Sequence, residues 1–349
     1  MSDKTRLLEL DVFRGIAAFY VVCFHYASYY GDHLNLGAPT LSGLITGIYG
    51  IQLFFMISGF VIFMTLEKTK KPMDFIVSRF SRLFPGYWAA VLLAFALIRI
   101  ADFTGQEVSL RRAIANLSMI QNWVGVENID GVYWTLSIEL AFYFAMFILF
   151  VTKKLKYIEI LGLGWLILMV LYAKIGFHAP RFMDIDNLLR YGNLFFAGVI
   201  FYNLKTKGET WYRHACLGLC LLVQYMVKIG IHHHNFLDPA LGTFVVFMFF
   251  ISFYFFITGK LSFIAIKPLA FLGTISYSLY LIHASISGPV MEYLYARHAS
   301  TYLVFITPLF CSLLVATVIT FGIEKPAMNY MRSAYKKWRL VMDNKNAEK

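Results

Sequence analysis

The first apolar stretch of the sequence contains three ionisable side chains, Asp11, Arg14 and His25. Such groups are costly inside a membrane and are therefore candidates for function. Arg14 and His25 are eleven residues apart, which on a helix is three turns plus about 20°, with a rise of about 16 Å. One helix face thus carries a fixed cation and an imidazole able to act as a general base. Alternatively, Arg14 pairs with Asp11 at the interface, and His25 hydrogen-bonds a carbonyl in the core.

Two further arginines, Arg79 and Arg82, occur in SRFSRLFPGYW, just before another long apolar run. They are one helical turn apart and share a face, where two guanidiniums can bind phosphate oxygens bidentately. The alternative is that both arginines only anchor the helix at the cytoplasmic interface.

Two carboxylates also fall within apolar runs. Glu139, in WTLSIELAFYF, must face other helices and needs a partner there. Orienting an imidazole or a substrate hydroxyl would provide one. Glu324 lies at the inner end of the last apolar run, where we expect it to be the buried partner of an inner arginine. Pro326 is then expected to stop or kink the helix.

The run GTISYSLYLIHASI supplies His283, together with the hydroxyl of Tyr277 and those of its serine neighbours. His283 is a candidate for substrate contact, although small polar residues in membrane helices often only join helices together. We predict no metal site, because the adjacent His232, His233 and His234 point in different directions on any regular backbone. The four cysteines lie in apolar stretches, so no disulfide framework is implied.

The composition defines the elements that must position these groups. The chain has 349 residues, of which 59% are hydrophobic and 15% charged, against about 25% charged in soluble domains. We therefore predict an all-α, polytopic membrane protein with about ten transmembrane helices. A membrane β-barrel is disfavoured because the runs are continuously apolar and not alternating. The predicted spans are 10–30, 43–66, 83–101, 133–152, 157–176, 187–204, 213–230, 239–258, 268–293 and 301–323.

The lysines and arginines set the expected orientation. With the N-terminus inside, 22 of them fall in inner segments and 8 in outer segments, which favours cytoplasmic placement of both termini. The net charge of +11 is then explained by cytoplasmic loops, and no nucleic acid partner is expected. Residues 331–349 form a basic tail, which we expect to be solvated near anionic lipid headgroups. The first span begins so close to the N-terminus that we expect a retained helix and not a cleaved leader.

Six motifs in order resemble the acyltransferase-3 family of integral membrane acyltransferases. They are LDVFRGIAAFYVVCFH, GIQLFFMISGFVI, SRFSRLFPGYW, YWTLSIELAFYF, GTISYSLYLIHASI and GIEKPA. The hallmark, an Arg followed by ten residues and a His, is met by Arg14 and His25. Arg79 and Arg82 match the Arg-x-x-Arg element of the family, and Ser58 begins its SGF element. The resemblance extends from about residue 7 to about residue 330 and implies a single membrane acyltransferase domain over 1–330.

The resemblance implies O-acyl transfer, commonly of acetyl, from cytoplasmic acyl-CoA to a hydroxyl of a surface polysaccharide, glycolipid or related acceptor at the plasma (inner) membrane. His25 is then the catalytic base, assisted by Glu139. Arg14, Arg79 and Arg82 bind the donor, and no metal is expected. Substrate-binding or supporting roles are expected for Asp11, Ser58, Tyr277, His283 and Glu324.

Other functions stay open at this point. Intramembrane Arg, His and Glu also suit a transporter or flippase for a lipid-linked or anionic solute, but no inverted repeat is visible. A structural or sensory membrane protein is the third possibility. The acceptor, the length of the acyl chain, an acyl-enzyme intermediate and the oligomeric state cannot be read from the sequence.

Overall fold

A computed structural model of the chain describes residues 7–33, 44, 46–101, 108–175, 184–227 and 239–347, and no strand occurs within these ranges. Its α-helices are α1 (Leu8–His33), α2 (Gly50–Lys68), α3 (Pro72–Ala101), α4 (Leu110–Asn116), α5 (Trp134–Val151), α6 (Ile158–Ile175), α7 (Ile185–Lys207), α8 (Trp211–Met226), α9 (Pro239–Ile257), α10 (Lys267–Ala296), α11 (Thr301–Ile319) and α12 (Lys325–Ala347). The prediction of an all-α architecture is confirmed.

Eight helical segments of the described residues are long and apolar enough to cross a membrane. They contain α1, α2, α3, α5, α6, α9, α10 and α11. The two other predicted spans, 187–204 and 213–230, form α7 and α8. Helix α8 has only 16 residues, and α7 carries charged residues in its first and last turns. The chain is therefore a polytopic helical membrane protein, whereas the number of crossings and the side of the termini stay predictions.

Helices α1 and α10 are in backbone contact. A Cβ on Gly15 would lie 2.6 Å from the backbone nitrogen of Gly273, and a Cβ on Gly273 would clash with the carbonyl of Asp11. Small residues allow such close approach between membrane helices. His25 and His283 each lie ten residues beyond the glycine of their own helix, so this contact brings the two histidines to the same level.

Helices α2 and α7 approach each other in the same way. A Cβ on Gly59 would clash with the carbonyl of Phe195, and a Cβ on Gly198 would clash with the carbonyl of Met56. Helix α2 is buried along most of its length. This packing fixes Ser58, the neighbour of Gly59, in the interior of the bundle.

The segment between α3 and α5 is organised around Asn116. Its amide donates to the carbonyls of Arg112 (2.9 Å) and Glu127 (3.0 Å), and its Oδ1 accepts from the backbone N–H of Ile129 at 3.0 Å. The short helix α4 ends at Asn116. Asp130 follows directly, with Oδ1 accepting from the N–H of Val132 at 3.1 Å in the turn before α5.

The chain stays helical beyond α11. Thr320–Glu324 forms a π-helical turn, and α12 continues through Pro326 to Ala347, so Pro326 does not stop the helix. The boundary expected at residue 330 falls inside α12. One side of α12 is joined to α3, through Arg339 and Asp74 at 2.8 Å and through Lys71 and Asp343 at 2.7 Å. The three adjacent histidines and residues 228–230 lie outside the described residues.

Candidate active site

A cavity of about 100 Å³ inside the bundle collects most of the predicted site residues. Arg14, Ser58, Arg79, Arg82, Glu139 and Tyr277 all line it. Its other walls are aromatic, aliphatic and hydroxyl side chains, including those of Phe54, Phe55 and Tyr280. The free space suits a slender chain and not a bulky head group, since pockets for drug-sized ligands are about 300–1,000 Å³.

Glu324 is the buried partner of Arg82, and the expectation that this arginine lies at the inner side stays a prediction. It forms an ion pair with Arg82 and is only 1% exposed, and its other oxygen accepts from Ser278 Oγ at 2.9 Å. The Arg82 guanidinium also lies 5.3 Å from the centre of the Tyr277 ring. Tyr277 in turn donates to the carbonyl of Leu83 at 2.8 Å, so α3, α10 and the π-helical turn are joined at this point.

The other two arginines of the cavity differ in how their charge is balanced. Arg14 lies 3.6 Å from Asp11 on the same helix, which is the pairing anticipated as an alternative. Arg79 donates to Ser78 Oγ at 3.1 Å, and its buried Nε has no hydrogen-bond partner in the described part of the chain. Within the described ranges, no acidic side chain forms an ion pair with Arg79.

Glu139 belongs to the same cavity and is not hydrogen-bonded to His25. Its Oε1 accepts from Ser58 Oγ and from the hydroxyl of Tyr143, the latter at 2.6 Å. Glu139 therefore lies in the same cavity as Arg14, Arg79 and Arg82, and the expected assistance to His25 stays a prediction.

His25 is hydrogen-bonded to the second predicted histidine, His283. His25 Nδ1 lies 2.9 Å from the carbonyl of Val21 and 3.2 Å from His283 Nε2. His283 is fully buried, and its Nδ1 lies 2.8 Å from the carbonyl of Tyr280. From the sequence, His283 is a candidate for substrate contact. In the structure, His283 is hydrogen-bonded to the imidazole of His25.

The two carbonyls assign the protons of this pair. A carbonyl only accepts hydrogen bonds, so His283 carries its proton on Nδ1 and its Nε2 is an acceptor. His25 then donates from Nδ1 to His283 and Val21, and its Nε2 is the unprotonated nitrogen. This assignment follows from the hydrogen-bond network and makes Nε2 of His25 the basic atom.

Asp130 is a functional candidate that the sequence analysis missed. It is 5% exposed and accepts from the hydroxyl of Ser285, two residues beyond His283. Burial raises the pKa of the Asp130 carboxyl above its usual range, and the hydrogen bonds from Ser285 and Val132 partly offset that rise. A charge on His25 acts in the same direction as these bonds. The sequence signal was an acid directly before a turn and a helix start, which is also what an ordinary helix cap looks like.

Comparison with known proteins shows the family of the chain. Residues 7–324 match the acyltransferase domain that defines the acyltransferase-3 family. The chain belongs to the acyltransferase-3 family. It is 30% identical over 131 residues to the exopolysaccharide production protein ExoZ of Rhizobium meliloti (strain 1021), a match that covers 34% of this chain and 36% of that protein. No solved structure matches the chain.

The region shared with the acyltransferase-3 family contains both parts of the site, the arginine cavity and the histidine pair, but not α12. Across the described residues, no three His, Cys, Asp or Glu side chains come together in a way that could hold a metal ion. The ionisable groups that the described site presents are an imidazole pair, a nearby carboxylate and the guanidiniums of the cavity.

Proposed function

We propose that this acyltransferase-3 protein transfers an acyl group, taken to be acetyl, from acyl-CoA at the cytoplasmic face to a hydroxyl of an exopolysaccharide or related glycolipid. The enzyme is expected in the plasma (inner) membrane, with the acceptor approaching from the outer side. The observation that carries the proposal is the placement of the histidine pair and the arginine cavity on the shared face of α1. About 16 Å of helix rise separates Arg14, in the cavity, from His25. The extended thioester arm of acyl-CoA can span this distance.

The residues of the cavity fit the donor. Arg79 has no acidic partner among the described residues, and Arg14 lies 3.6 Å from the carboxylate of Asp11. Both guanidiniums favour phosphate oxygens at this end. The narrow space beyond them suits the thioester arm, so the nucleotide would stay at the inner rim. The donor supplies an activated acyl carbonyl, which a hydroxyl can attack.

His25 is proposed as the general base. Its Nε2 takes the proton of the acceptor hydroxyl as that oxygen bonds to the acyl carbon, and the carbon–sulfur bond breaks. The departing thiolate then takes the proton from His25, so the base is regenerated. Asp130 favours the transient imidazolium electrostatically, and His283 holds the ring in orientation. We propose direct transfer from the donor to the acceptor, since this reaction needs no nucleophilic side chain and no acyl-enzyme.

The test is whether acyl-CoA is consumed and whether its consumption requires an acceptor. Purified protein in detergent is mixed with acetyl-CoA and exopolysaccharide fragments, and free thiol is measured as CoA is released. Acyl transfer predicts thiol release that requires the fragments, together with ester-linked label on them. A transporter or flippase would move its solute and leave the donor intact, so the absence of thiol release with every common acyl-CoA would contradict the proposal.

A further inference from the structure

The inner end of α3 bears more positive charge than its acidic partners balance. Arg82 is neutralised by Glu324. Arg79 has only the Ser78 hydroxyl as hydrogen-bond partner in the described residues, and its Nε is buried without one. A buried donor left without an acceptor is destabilising. An acceptor is therefore expected at Arg79 in the functioning protein.

Helix α12 brings a further guanidinium to the same place. Arg332 donates from Nε to Ser81 Oγ at 3.0 Å and from Nη2 to the carbonyl of Ser78 at 3.3 Å. Arg79 and Arg332 thus meet at Ser78, one at its hydroxyl and one at its carbonyl. They are near enough for their like charges to repel each other. Two guanidiniums at one residue are stabilised when an anion lies between them.

The other contacts between α12 and α3 explain why Arg332 is not just one more anchor. Arg339 pairs with Asp74 at 2.8 and 3.0 Å, and Tyr335 donates to the same carboxylate at 2.9 Å. Lys71 pairs with Asp343 at 2.7 Å. In each of these contacts an acid is present. Among these α12 residues, only Arg332 binds neutral groups. No acid in these contacts therefore balances its charge.

We propose that Arg332 and Arg79 form a phosphate-binding site at the inner rim, in which α12 supplies one half of a clamp for the phosphates of the acyl donor. This inference rests on the proposed function, and it adds a binding residue from beyond the region shared with the acyltransferase-3 family. The class of ligand is a diphosphate or phosphomonoester carried by a nucleotide. The clamp leaves the chain of the ligand free to extend into the cavity beside Arg14.

The experiment compares Arg332→Ala with Arg339→Ala. Both substitutions remove an arginine that joins α12 to α3, but only Arg332 faces Arg79. Binding of CoA to the purified full-length protein is measured by calorimetry, and binding of inorganic pyrophosphate by the shift in thermal unfolding. We expect Arg332→Ala to weaken CoA about 10-fold or more, as for loss of a charge-assisted bond, and Arg339→Ala to change it less than about 2-fold. Arg332→Lys should recover part of the loss.

The affinity of the double variant for CoA supplies a second readout. If both arginines bind one anion, Arg79→Ala and Arg332→Ala combined should weaken CoA less than the two single effects multiplied. Equal effects of Arg332→Ala and Arg339→Ala, or no effect of Arg332→Ala, would overturn the clamp. Wild-type protein that binds neither CoA nor pyrophosphate would overturn the clamp and the proposed donor together. Pyrophosphate binding that depends on Arg332 without any acyl transfer would retain the clamp and overturn the proposed function alone.

Discussion

A single hydrogen bond between two imidazoles determines which nitrogen of the site is basic. Because the Tyr280 carbonyl fixes the proton of His283 on Nδ1, His283 Nε2 accepts from His25 and leaves the lone pair of His25 on Nε2. We therefore propose a positioning role for His283, which would act on the reaction through His25 without contact with the substrate.

Replacing His283 by alanine should slow acyl transfer about 100-fold, at the lower end of what general base catalysis contributes. Donor binding should be unchanged, because His283 lies away from the arginine cavity. His283→Gln should restore part of the rate, since its amide oxygen can accept from His25 Nδ1. Steady-state kinetics and donor calorimetry measure both quantities. A glutamine variant no faster than the alanine variant, or an equal loss of donor affinity, would exclude the positioning role.

The ion pair of Arg82 and Glu324 leads to a prediction about stability. Glu324→Gln leaves a largely buried guanidinium without its counterion and should lower the free energy of unfolding by about 3–5 kcal/mol. The double variant Arg82→Met/Glu324→Met removes both charges, so it should lose less stability than Glu324→Gln alone. Thermal unfolding in detergent ranks the variants by stability. Arg82→Met and Glu324→Met are also measured singly. If their losses of stability simply add in the double variant, the two side chains are not coupled.

At the level of single residues, the sequence identified most of the site. An ionisable side chain in an apolar run must be satisfied inside the bundle, and this argument selected His25, Glu139, His283 and Glu324. It could not decide which groups pair with which, because pairing depends on helix packing. Asp130 was not identified because it lies in a predicted outer segment. An acid in such a segment is ordinary unless it is buried, and burial cannot be read from the sequence.

Among the helices, the contact between α1 and α10 matters most for the site. Gly273→Ala places a methyl group against the backbone of Asp11, which cannot move aside as a flexible side chain would. We expect a loss of about 1–3 kcal/mol in the free energy of unfolding, as for other overpacked sites. The rate of acyl transfer should fall as well, because the separation of α1 from α10 also separates the two histidines.

Gly218→Ala is the matched control for this substitution. Gly218 is also in a helix, but a Cβ there meets nothing within 4 Å. The same change should therefore stabilise the protein by about 0.5–1 kcal/mol, through the lower backbone entropy of alanine. Thermal unfolding and acyl-transfer rates of the two variants are compared side by side. A Gly273→Ala protein as stable and active as Gly218→Ala would contradict the described contact.

The elements show where periodicity and composition suffice and where they fail. Long apolar runs were recognised as helices because lipid requires every backbone group to be bonded within the segment. Residues 331–349 were expected to form a solvated tail, because their composition is basic and polar. The contacts of α12 with Asp74 and Ser81 depend on the position of α3, which composition does not show. The π-helical turn at Thr320–Glu324 has no periodic signal either, and it directs Glu324 toward Arg82.

At the scale of the whole molecule, the excess of inner lysines and arginines predicts the orientation in the membrane. In a protein whose four cysteines are replaced, a cysteine at Lys207 should react with a membrane-impermeant maleimide only after the cells are permeabilised. A cysteine at Arg297, between α10 and α11, should react in intact cells. Lys207 is the last residue of α7 and Arg297 directly follows α10, and both are exposed, so a cysteine at either position is accessible to the reagent. The reverse pattern would place the termini, and with them the donor arginines, outside.

The most direct test of the central proposal compares wild-type protein with His25→Ala in two measurements on the same sample, acetyl-CoA binding and acyl transfer to exopolysaccharide fragments. We expect the variant to bind the donor with a dissociation constant within about 2-fold of wild type and to transfer acyl groups about 1,000-fold more slowly, as for loss of a general base. An unchanged thermal unfolding midpoint would exclude misfolding as the cause. Transfer by His25→Ala at the wild-type rate would contradict the assignment of His25 as the base.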